Sequence, residues 1–249
     1  VPGQPAEIAP SQAKAQDESQ DTEAALDQPP ADIDITTLEG KSAVYDYLIK
    51  HTPVKVGKKA SSEEREAMVG ADSTLTYGEI AFAPFATALH KIRDVYGGEQ
   101  AMKGVFYDIG AGTGKPVFAA ALLGDFSQCI GIEILTGLHG ISLELQQRWQ
   151  DKVLPALPEG TASASIDLRC EDFLNVDMNN ATVWFANSTC FSDKLMGKLA
   201  EAVVDQEVGT FAITFTRSLP SPKWKVLESE LHQMSWGGAT VYIQQKVLP

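Results

Sequence analysis

The stretch that decides the fold is Phe106-Tyr107-Asp108-Ile109-Gly110-Ala111-Gly112-Thr113-Gly114-Lys115. It reads as an apolar strand that runs into an acidic residue and three alternating glycines, and an apolar helical segment follows it. Glycines allow a tight turn between strand and helix, and they let backbone N–H groups approach a ligand that a Cβ would exclude. The stretch therefore predicts a loop that binds a nucleotide-type cofactor at the end of a strand.

Three interpretations of this loop differ in the residues that they require. A phosphate-binding P-loop needs Gly at 109 and Ser or Thr at 116, where the chain has Ile109 and Pro116. A dinucleotide fingerprint needs Gly at 115, where Lys115 stands. An acid two residues before Gly-x-Gly-x-Gly is similar to the first motif of the class I S-adenosylmethionine-dependent methyltransferases. The residues favour this third interpretation.

A second acidic residue supports it at a distance. Residues 129–133, Cys-Ile-Gly-Ile-Glu, read as a short buried strand that ends in Glu133. In a doubly wound sheet the carboxyl ends of neighbouring strands line one crevice, so Glu133 would face the cofactor and could accept both ribose hydroxyls. The alternative is that Glu133 only begins the next helix, where an anion near the N-terminus is favourable.

Strand-like and helical segments alternate through the rest of the chain. The predicted strands are 104–109, 128–133, 164–169, 181–186 and 211–215, with helices at 114–124 and through Trp149. Residues 224–234 admit a strand or a helix, and a Gly237-Gly238 turn precedes a clear strand at 240–244, so we favour an antiparallel hairpin at the sheet edge. This pattern predicts an α/β fold: a doubly wound, mostly parallel, seven-strand Rossmann-like sheet of the methyltransferase type, with an N-terminal helical extension and a C-terminal antiparallel hairpin.

Two further strand ends carry candidate site residues. Asp172 and Phe173 follow the third strand, where the carboxylate could accept from an exocyclic amine and the ring could lie against a purine. The alternative is that Asp172 caps a turn and Phe173 is core. Asn187 follows the fourth strand, where the methyl group and the acceptor meet in this class. The Asn/Asp-Pro-Pro-aromatic tetrad of amino-DNA methyltransferases is missing there, which argues against a base amine as acceptor.

Composition and charge divide the chain. Of the net charge of −13 on 249 residues, residues 1–36 carry eight acids and one lysine, while residues 37–249 carry 25 acids and 19 bases. We expect residues 1–34 to be a disordered acidic tail, 35–103 a helical segment with the cofactor lid, and 104–249 the catalytic domain. Within 35–103, helices are expected at 36–50, from Ser61 and from Ile80.

Smaller features complete the expectations. The three cysteines and four histidines form no metal-binding or catalytic constellation, so we expect buried thiols, a reducing compartment and no metal. Lys55, Lys58 and Lys59 form the one basic cluster of note, either a solvated turn or a contact for phosphate or an acidic partner. No apolar run is long enough to span a membrane. We expect the protein inside the cell, in the nucleus or the cytoplasm. The sequence leaves open whether a targeting segment lies upstream.

Together, five segments resemble the disruptor-of-telomeric-silencing histone lysine methyltransferases, which have the seven-strand fold rather than the SET fold. The segments are Tyr77-Gly78-Glu79, residues 108–114, residues 131–133, residues 171–174 and residues 183–188. Phe191 and Ser235-Trp236-Gly237 look like the family's later Phe and its Ser-Trp hairpin. The resemblance covers about residues 74–247.

The resemblance implies roles for particular residues. Asp108 and the glycines Gly110, Gly112 and Gly114 would lie at the methionine part of S-adenosyl-L-methionine, Glu133 at the ribose, and Asp172 with Phe173 at the adenine. Thr76, Tyr77 and Glu79 would form the lid over the pocket. Asn187 would border the methyl group and the cofactor, and Phe191, Trp236 and Tyr242 would line a lysine channel. Asn187, Phe191 and Tyr77 are the implied catalytic residues.

The implied activity is methyl transfer to a protein lysine amine by direct displacement, with a histone among the candidate partners. The chain departs from the family at Ser188, where a second Asn is usual, and its acidic surface argues against direct DNA binding. Two alternatives stay open: a small-molecule methyltransferase, and a non-catalytic scaffold with the methyltransferase fold. An NAD-binding oxidoreductase is a more distant alternative.

Overall fold

The computed structural model describes residues 27–30, 34–68, 75–159, 161, 164–234 and 237–249. The helices are α1 (Leu38–Ile49), α2 (Val54–Ala67), α3 (Phe82–Lys91), α4 (Gly98–Ala101), α5 (Lys115–Leu123), α6 (Thr136–Arg148) and α7 (Asp193–Ala202). The strands are β1 (Val105–Ile109), β2 (Gln128–Glu133), β3 (Ser165–Cys170), β4 (Ala181–Ala186), β5 (Phe211–Phe215), β6 (Trp224–Met234) and β7 (Gly237–Lys246). Single π-helical stretches follow α3 and α6, at Ile92–Gly97 and Trp149–Val153.

The strands form a seven-stranded sheet in the order β3-β2-β1-β4-β5-β7-β6. Strands β1 to β5 run parallel to one another, whereas β7 runs antiparallel to both β5 and β6. This arrangement confirms the predicted mostly parallel sheet with a C-terminal hairpin. The strand order reverses between β1 and β4, and ligands of open α/β sheets bind at that switch point, beyond the carboxyl ends of the strands.

Both faces of the sheet are covered by apolar packing, as a parallel sheet requires. On one face the ring of Phe85 from α3 meets Phe106 and Phe185 edge to face, and Phe185 meets Phe215 in the same way. On the other face Trp184 packs against Trp224 at a ring-centroid distance of 5.5 Å. The strand ends that carry the predicted polar residues are therefore held on a rigid core.

The N-terminal helices pack against the sheet domain. Helix α2 begins at Val54, directly after Pro53, so the predicted start at Ser61 is wrong: a proline with φ −64° is well placed before the first helical turn. The lysines at 55, 58 and 59 therefore lie in a helix and not in a turn. Glu64 of α2 accepts hydrogen bonds from the backbone N–H groups of Thr136 and Gly137 at 2.9 and 2.8 Å. This carboxylate caps the N-terminus of α6 and fixes α2 to the sheet domain.

Part of the predicted acidic tail lies among the described residues. Asp27 accepts two hydrogen bonds from the Arg148 guanidinium at 2.8 and 2.7 Å and pairs with Lys50. Arg148 holds the pKa of Asp27 well below its usual range. The disorder predicted for residues 1–26 and 31–33 lies outside the described residues. Within the described ranges, no helix is both long and apolar enough to cross a membrane.

Candidate active site

The glycine loop turns the chain from β1 into α5. Gly110, Gly112 and Gly114 have φ of 77°, 57° and 78°, in the left-handed region that glycine adopts without strain. A Cβ on Gly112 would lie 2.5 Å from Cε2 of Tyr77, so this position needs glycine for space as well as for conformation. The side chain of Tyr77, which belongs to the predicted lid, therefore packs directly against the glycine loop.

Glu133 is buried at the end of β2 and faces the loop. Its two carboxylate oxygens accept hydrogen bonds from the N–H groups of Gly112 and Leu135, at 2.7 and 2.8 Å. Burial raises the pKa of Glu133, although these bonds oppose the rise. The backbone bonds fix the orientation of the carboxylate, and each oxygen keeps a lone pair for a further donor such as a ribose hydroxyl.

Asp108 lies at the end of the neighbouring β1 and is 1% exposed. Its Oδ2 has no hydrogen-bond partner among the described residues, and burial together with the charge of Glu133 raises its pKa well above the usual value. A buried, unpartnered carboxylate beside a second carboxylate is a site for a cationic group with hydrogen-bond donors. S-adenosylmethionine, which carries an ammonium group, a sulfonium and a ribose diol, fits this donor and charge pattern.

Beyond Glu133 a cavity of about 190 Å³ continues toward β3 and α7. The rings of Phe173 and Phe191 line it and are nearly parallel, with an interplanar angle of 5° and a centroid distance of 6.3 Å. Asp172 also lines the cavity, and its Oδ1 accepts from the N–H of Leu174 at 3.0 Å. Asp172 therefore caps a turn with one oxygen and also borders the cavity, and its contact with adenine stays a prediction.

The lid, residues 76–79, closes over the glycine loop. The ring of Tyr77 lies between two glycines, because a Cβ on Gly57 of α2 would meet the ring at 2.3 Å, as one on Gly112 would at 2.5 Å. Its hydroxyl bonds to Glu79 and, at 2.7 Å, to Thr113 of the loop. Burial, and next the charge of Glu79, raises the pKa of Tyr77, so the phenol stays protonated.

A buried ion pair joins the lid to α5. The Nζ of Lys115 donates to both oxygens of Glu79, at 2.7 and 2.6 Å, and to the carbonyl of Thr52 at 2.6 Å. The Lys115 and Glu79 side chains are only 3% and 10% exposed. The sequence did not reveal this pair. The one signal was a lysine at the start of an otherwise apolar helix.

Asn187 separates two cavities. Its Nδ2 donates to the carbonyl of Gly78 at 2.9 Å, and its Oδ1 accepts from the Thr189 hydroxyl at 3.0 Å. On one side lies the cavity that holds Glu133 and Asp172, which we call the inner cavity. On the other side lies a larger cavity of about 430 Å³, which we call the outer cavity. The two share Thr76, Tyr77, Gly78 and Asn187.

The outer cavity is formed by α2, the lid and the segment after β4. Its lining residues are Val54, Lys58, Ser61, Ser62, Arg65, Thr76, Tyr77, Gly78, Glu79, Asn187, Thr189 and Cys190. The sequence drew attention to Lys58 as part of a basic cluster but did not place α2 at the site. The expectation of buried thiols is wrong for Cys170 and Cys190, which are exposed, and Cys190 lines this cavity.

The structure brings most of the predicted site residues together. Asp108, Gly110 and Asn187 border a small gap under the lid, and Glu133, Asp172, Phe173 and Phe191 line the inner cavity. Tyr242 lines a separate groove with Arg217, and Trp236 lies outside the described residues. In the part of the chain that the structure describes, no group of three or more His, Cys, Asp and Glu could hold a metal ion.

Solved structures of other proteins share the fold of this chain. A protein from Listeria monocytogenes, provisionally described as a class I S-adenosylmethionine-dependent methyltransferase, shares the fold with a TM-score of 0.52, 9% identity, and coverage of 96% of this chain and 76% of that chain. Magnesium protoporphyrin IX methyltransferase from Synechocystis PCC 6803 has a TM-score of 0.49 and 10% identity, with coverage of 87% of this chain and 99% of that chain. A tRNA methyltransferase from B. subtilis has a TM-score of 0.48 and 15% identity, with coverage of 65% of this chain and 64% of that chain. No curated protein matches the chain significantly.

A family model identifies the chain more closely. The model described as "Histone methylation protein DOT1" matches residues 67–236, which is more than half of the chain. The chain therefore belongs to this family. It is an S-adenosylmethionine-dependent methyltransferase, and S-adenosylmethionine is its cofactor.

Proposed function

We propose that this protein methylates the ε-amine of a lysine in a protein substrate, and that the substrate is of the histone type. The observation that carries the proposal is the outer cavity, which meets the inner cavity at the lid and at Asn187. A long side chain that enters the outer cavity would reach the wall behind which the cofactor binds. Membership of the histone methylation family supports a protein substrate.

In this proposal the residues around the inner cavity hold the cofactor. Asp108, with Gly110 beside it, would pair with the methionine ammonium group, and Glu133 would accept the ribose hydroxyls. Asp172 would accept from the adenine amine with its second oxygen, and Phe173 and Phe191 would contact the ring. When bound, S-adenosylmethionine supplies an electrophilic methyl group on its sulfonium sulfur.

Positioning would supply most of the catalysis. Asn187 and the lid would align the acceptor nitrogen with the methyl carbon, and fixing two reactants in line removes much of the entropic barrier. In the transfer, the nitrogen lone pair would form the new N–C bond as the C–S bond breaks, with its electron pair left on the sulfur. Neither cavity is lined by a described histidine, so the acceptor amine would lose its proton to solvent before it enters. The half-buried lid residues Tyr77, Gly78 and Glu79 would limit the access of water to the reacting atoms.

One observation favours a second candidate, a small-molecule methyltransferase. The outer cavity of about 430 Å³ lies within the size range of small-molecule sites. In that case the acceptor would be enclosed in the outer cavity instead of extending from a protein surface. The experiment that tests the proposal therefore has to include small metabolites as well as proteins.

The test offers radiolabelled S-adenosylmethionine to free histones, to nucleosomes and to a whole extract with its metabolites retained. Glu133→Ala and Asn187→Ala remove a cofactor contact and the wall between the cavities, and Glu207→Ala and Asn179→Ala are matched exposed controls. We expect methyl-lysine in protein hydrolysates with wild type and both controls, and its loss with both site variants. Label in small metabolites only, or in no fraction although the cofactor binds, would contradict a protein-lysine activity.

A further inference from the structure

Two cations of α2 line the outer cavity. Lys58 and Arg65 line the same cavity as Asn187 and Thr189. Arg65 is held in place, because its Nε donates to the carbonyl of Ser61 at 3.2 Å and its Nη1 lies 3.4 Å from the Thr76 hydroxyl. Its remaining N–H groups are available to a ligand.

The described lining of the outer cavity holds two cations and one carboxylate, so it carries more positive than negative charge. Among the described lining residues the single carboxylate is that of Glu79, and Lys115 already neutralises it through two hydrogen bonds. Neither Lys58 nor Arg65 forms a salt bridge with a described carboxylate. The outer cavity is therefore locally positive in a chain with a net charge of −13.

We propose that Lys58 and Arg65 select an acceptor lysine that is flanked by acidic side chains, an inference that rests on the proposed lysine activity. A guanidinium matches the geometry of a carboxylate and binds it with two parallel hydrogen bonds, and the ammonium of Lys58 adds a second, less directional contact. An acidic neighbour of the acceptor would pair with these cations while the lysine side chain points toward Asn187.

The same two cations act on the protonation of the acceptor. A positive charge near an amine disfavours its ammonium form, so the two cations repel an acceptor lysine that has not yet lost its proton to solvent. Without an acidic flank, that repulsion would also oppose docking. The acidic flank offsets the repulsion, which makes it a requirement for productive binding and not only an added contact.

The first test measures kcat/KM for two short peptides that share one central lysine and differ only in flanking Asp or Asn residues. Wild type should prefer the Asp peptide by about tenfold, since each exposed ion pair contributes up to about fivefold. K58E and R65E should lower this ratio to about one or below. Lys59, on the same helix but 76% exposed and paired with Glu63, provides the matched control K59E, which should keep the wild-type ratio.

The ratio of the two kcat/KM values is insensitive to a general loss of activity, so a partly misfolded variant does not imitate the expected result. Equal use of both peptides by wild type would overturn the proposal. An equal drop of the ratio in K59E would also overturn it, because the preference would then reflect overall charge and not the outer cavity.

A second test does not need turnover and separates this proposal from the proposed function. In a Cys170→Ser background, Cys190 is the one exposed thiol among the described cysteines, and it lines the outer cavity. The Asp peptide should slow alkylation of Cys190 severalfold more than the Asn peptide does, and R65E should abolish the difference. Protection without methylation would support the charge selection while contradicting the lysine activity. Equal protection by both peptides would overturn the selection itself.

Discussion

Asp108 is kept in a state that destabilises the cofactor-free protein. The carboxyl is buried, its Oδ2 has no partner, and its pKa is raised by burial and by Glu133. A folded-state pKa above the unfolded value means that the folded state holds the proton longer, so the contribution to stability is present below the unfolded pKa and is lost as pH rises through the folded pKa. At neutral pH the free energy of unfolding is therefore lowered, because Asp108 in the folded protein either carries an unpaired buried charge or has to keep its proton.

Asp108→Asn should stabilise the free protein and abolish cofactor binding. At neutral pH we expect a gain of about 1 kcal/mol, seen as a rise of about 2–4 °C in Tm, because the neutral amide does not ionise. The gain should vanish below about pH 4, where the Asp108 carboxyl of wild type is protonated and therefore neutral, like the amide of the variant. S-adenosylmethionine at saturating concentration should raise the Tm of wild type but not of the variant. A variant that is less stable than wild type at neutral pH and still binds the cofactor would contradict this account.

Lys115 and Glu79 should show strong coupling in a double-mutant cycle. Lys115→Met leaves the Glu79 carboxylate buried without its cation, and breaking a buried pair in this way costs about 3–5 kcal/mol. Adding Glu79→Gln to Lys115→Met removes the orphan charge and should recover part of that loss. Denaturant unfolding of the four proteins gives the interaction free energy. Additive single effects would show that the pair does not hold the lid to α5.

The sequence predicts a site residue only where the sheet topology alone places that residue at the site. Asp108 and Glu133 end adjacent parallel strands, so a strand pattern alone brings them to one crevice. The pairing of Lys115 with Glu79 joins a helix start to a lid that has no regular structure. No periodicity encodes such a contact, and the sequence could not predict it.

At the scale of elements, α2 and the lid form one packed unit through Gly57. A Cβ at this position would lie 2.3 Å from the Tyr77 ring. Gly57→Ala should therefore displace the ring from the glycine loop, although alanine favours a helix by about 0.5–1 kcal/mol over glycine. We expect a several-fold rise in KM for S-adenosylmethionine and faster trypsin cleavage at Arg65, measured by steady-state kinetics and limited proteolysis.

Gly140→Ala is the matched control for Gly57→Ala. Gly140 lies inside α6, and no atom comes within 4 Å of a Cβ built there. The same substitution should stabilise the protein by about 0.5–1 kcal/mol and leave KM unchanged. If both variants behave alike, the contact between Gly57 and Tyr77 does not control the lid.

The elements of the sheet were predictable because each strand is a short apolar run between turn residues. The parallel strands β1, β2, β4 and β5 follow from that pattern. The antiparallel hairpin is confirmed, but the turn predicted at Gly237-Gly238 is wrong, because both glycines belong to β7 and pair with Met234 and Gln233 of β6. The start of α2 was not predictable in the same way. Its sequence is rich in lysine and serine, so its first turns read as a polar loop, and the helix is fixed by Pro53 and by docking of Glu64 on α6.

At the scale of the whole molecule, the net charge acts at long range and the cations of the outer cavity act only at short range. Residues 37–249 carry 25 acids and 19 bases, and residues 1–36 add eight acids and one lysine, so the long-range field is negative. The cations of the outer cavity act only on groups that have already entered it. A basic protein would thus be attracted from a distance, and an acidic flank of the lysine would be recognised only on contact.

Salt should separate these two effects. Raising the ionic strength from about 0.01 to 0.15 M shortens the Debye length from about 30 to 8 Å, which screens the long-range field more than contacts inside the cavity. For a basic protein substrate, kcat/KM should fall severalfold over this range, whereas the ratio between the Asp and Asn peptides should change by less than about twofold. Duplex DNA should bind weakly throughout, since an acidic surface releases few counterions from DNA. Tight DNA binding with a steep salt slope, measured by fluorescence anisotropy, would contradict this account of the surface charge.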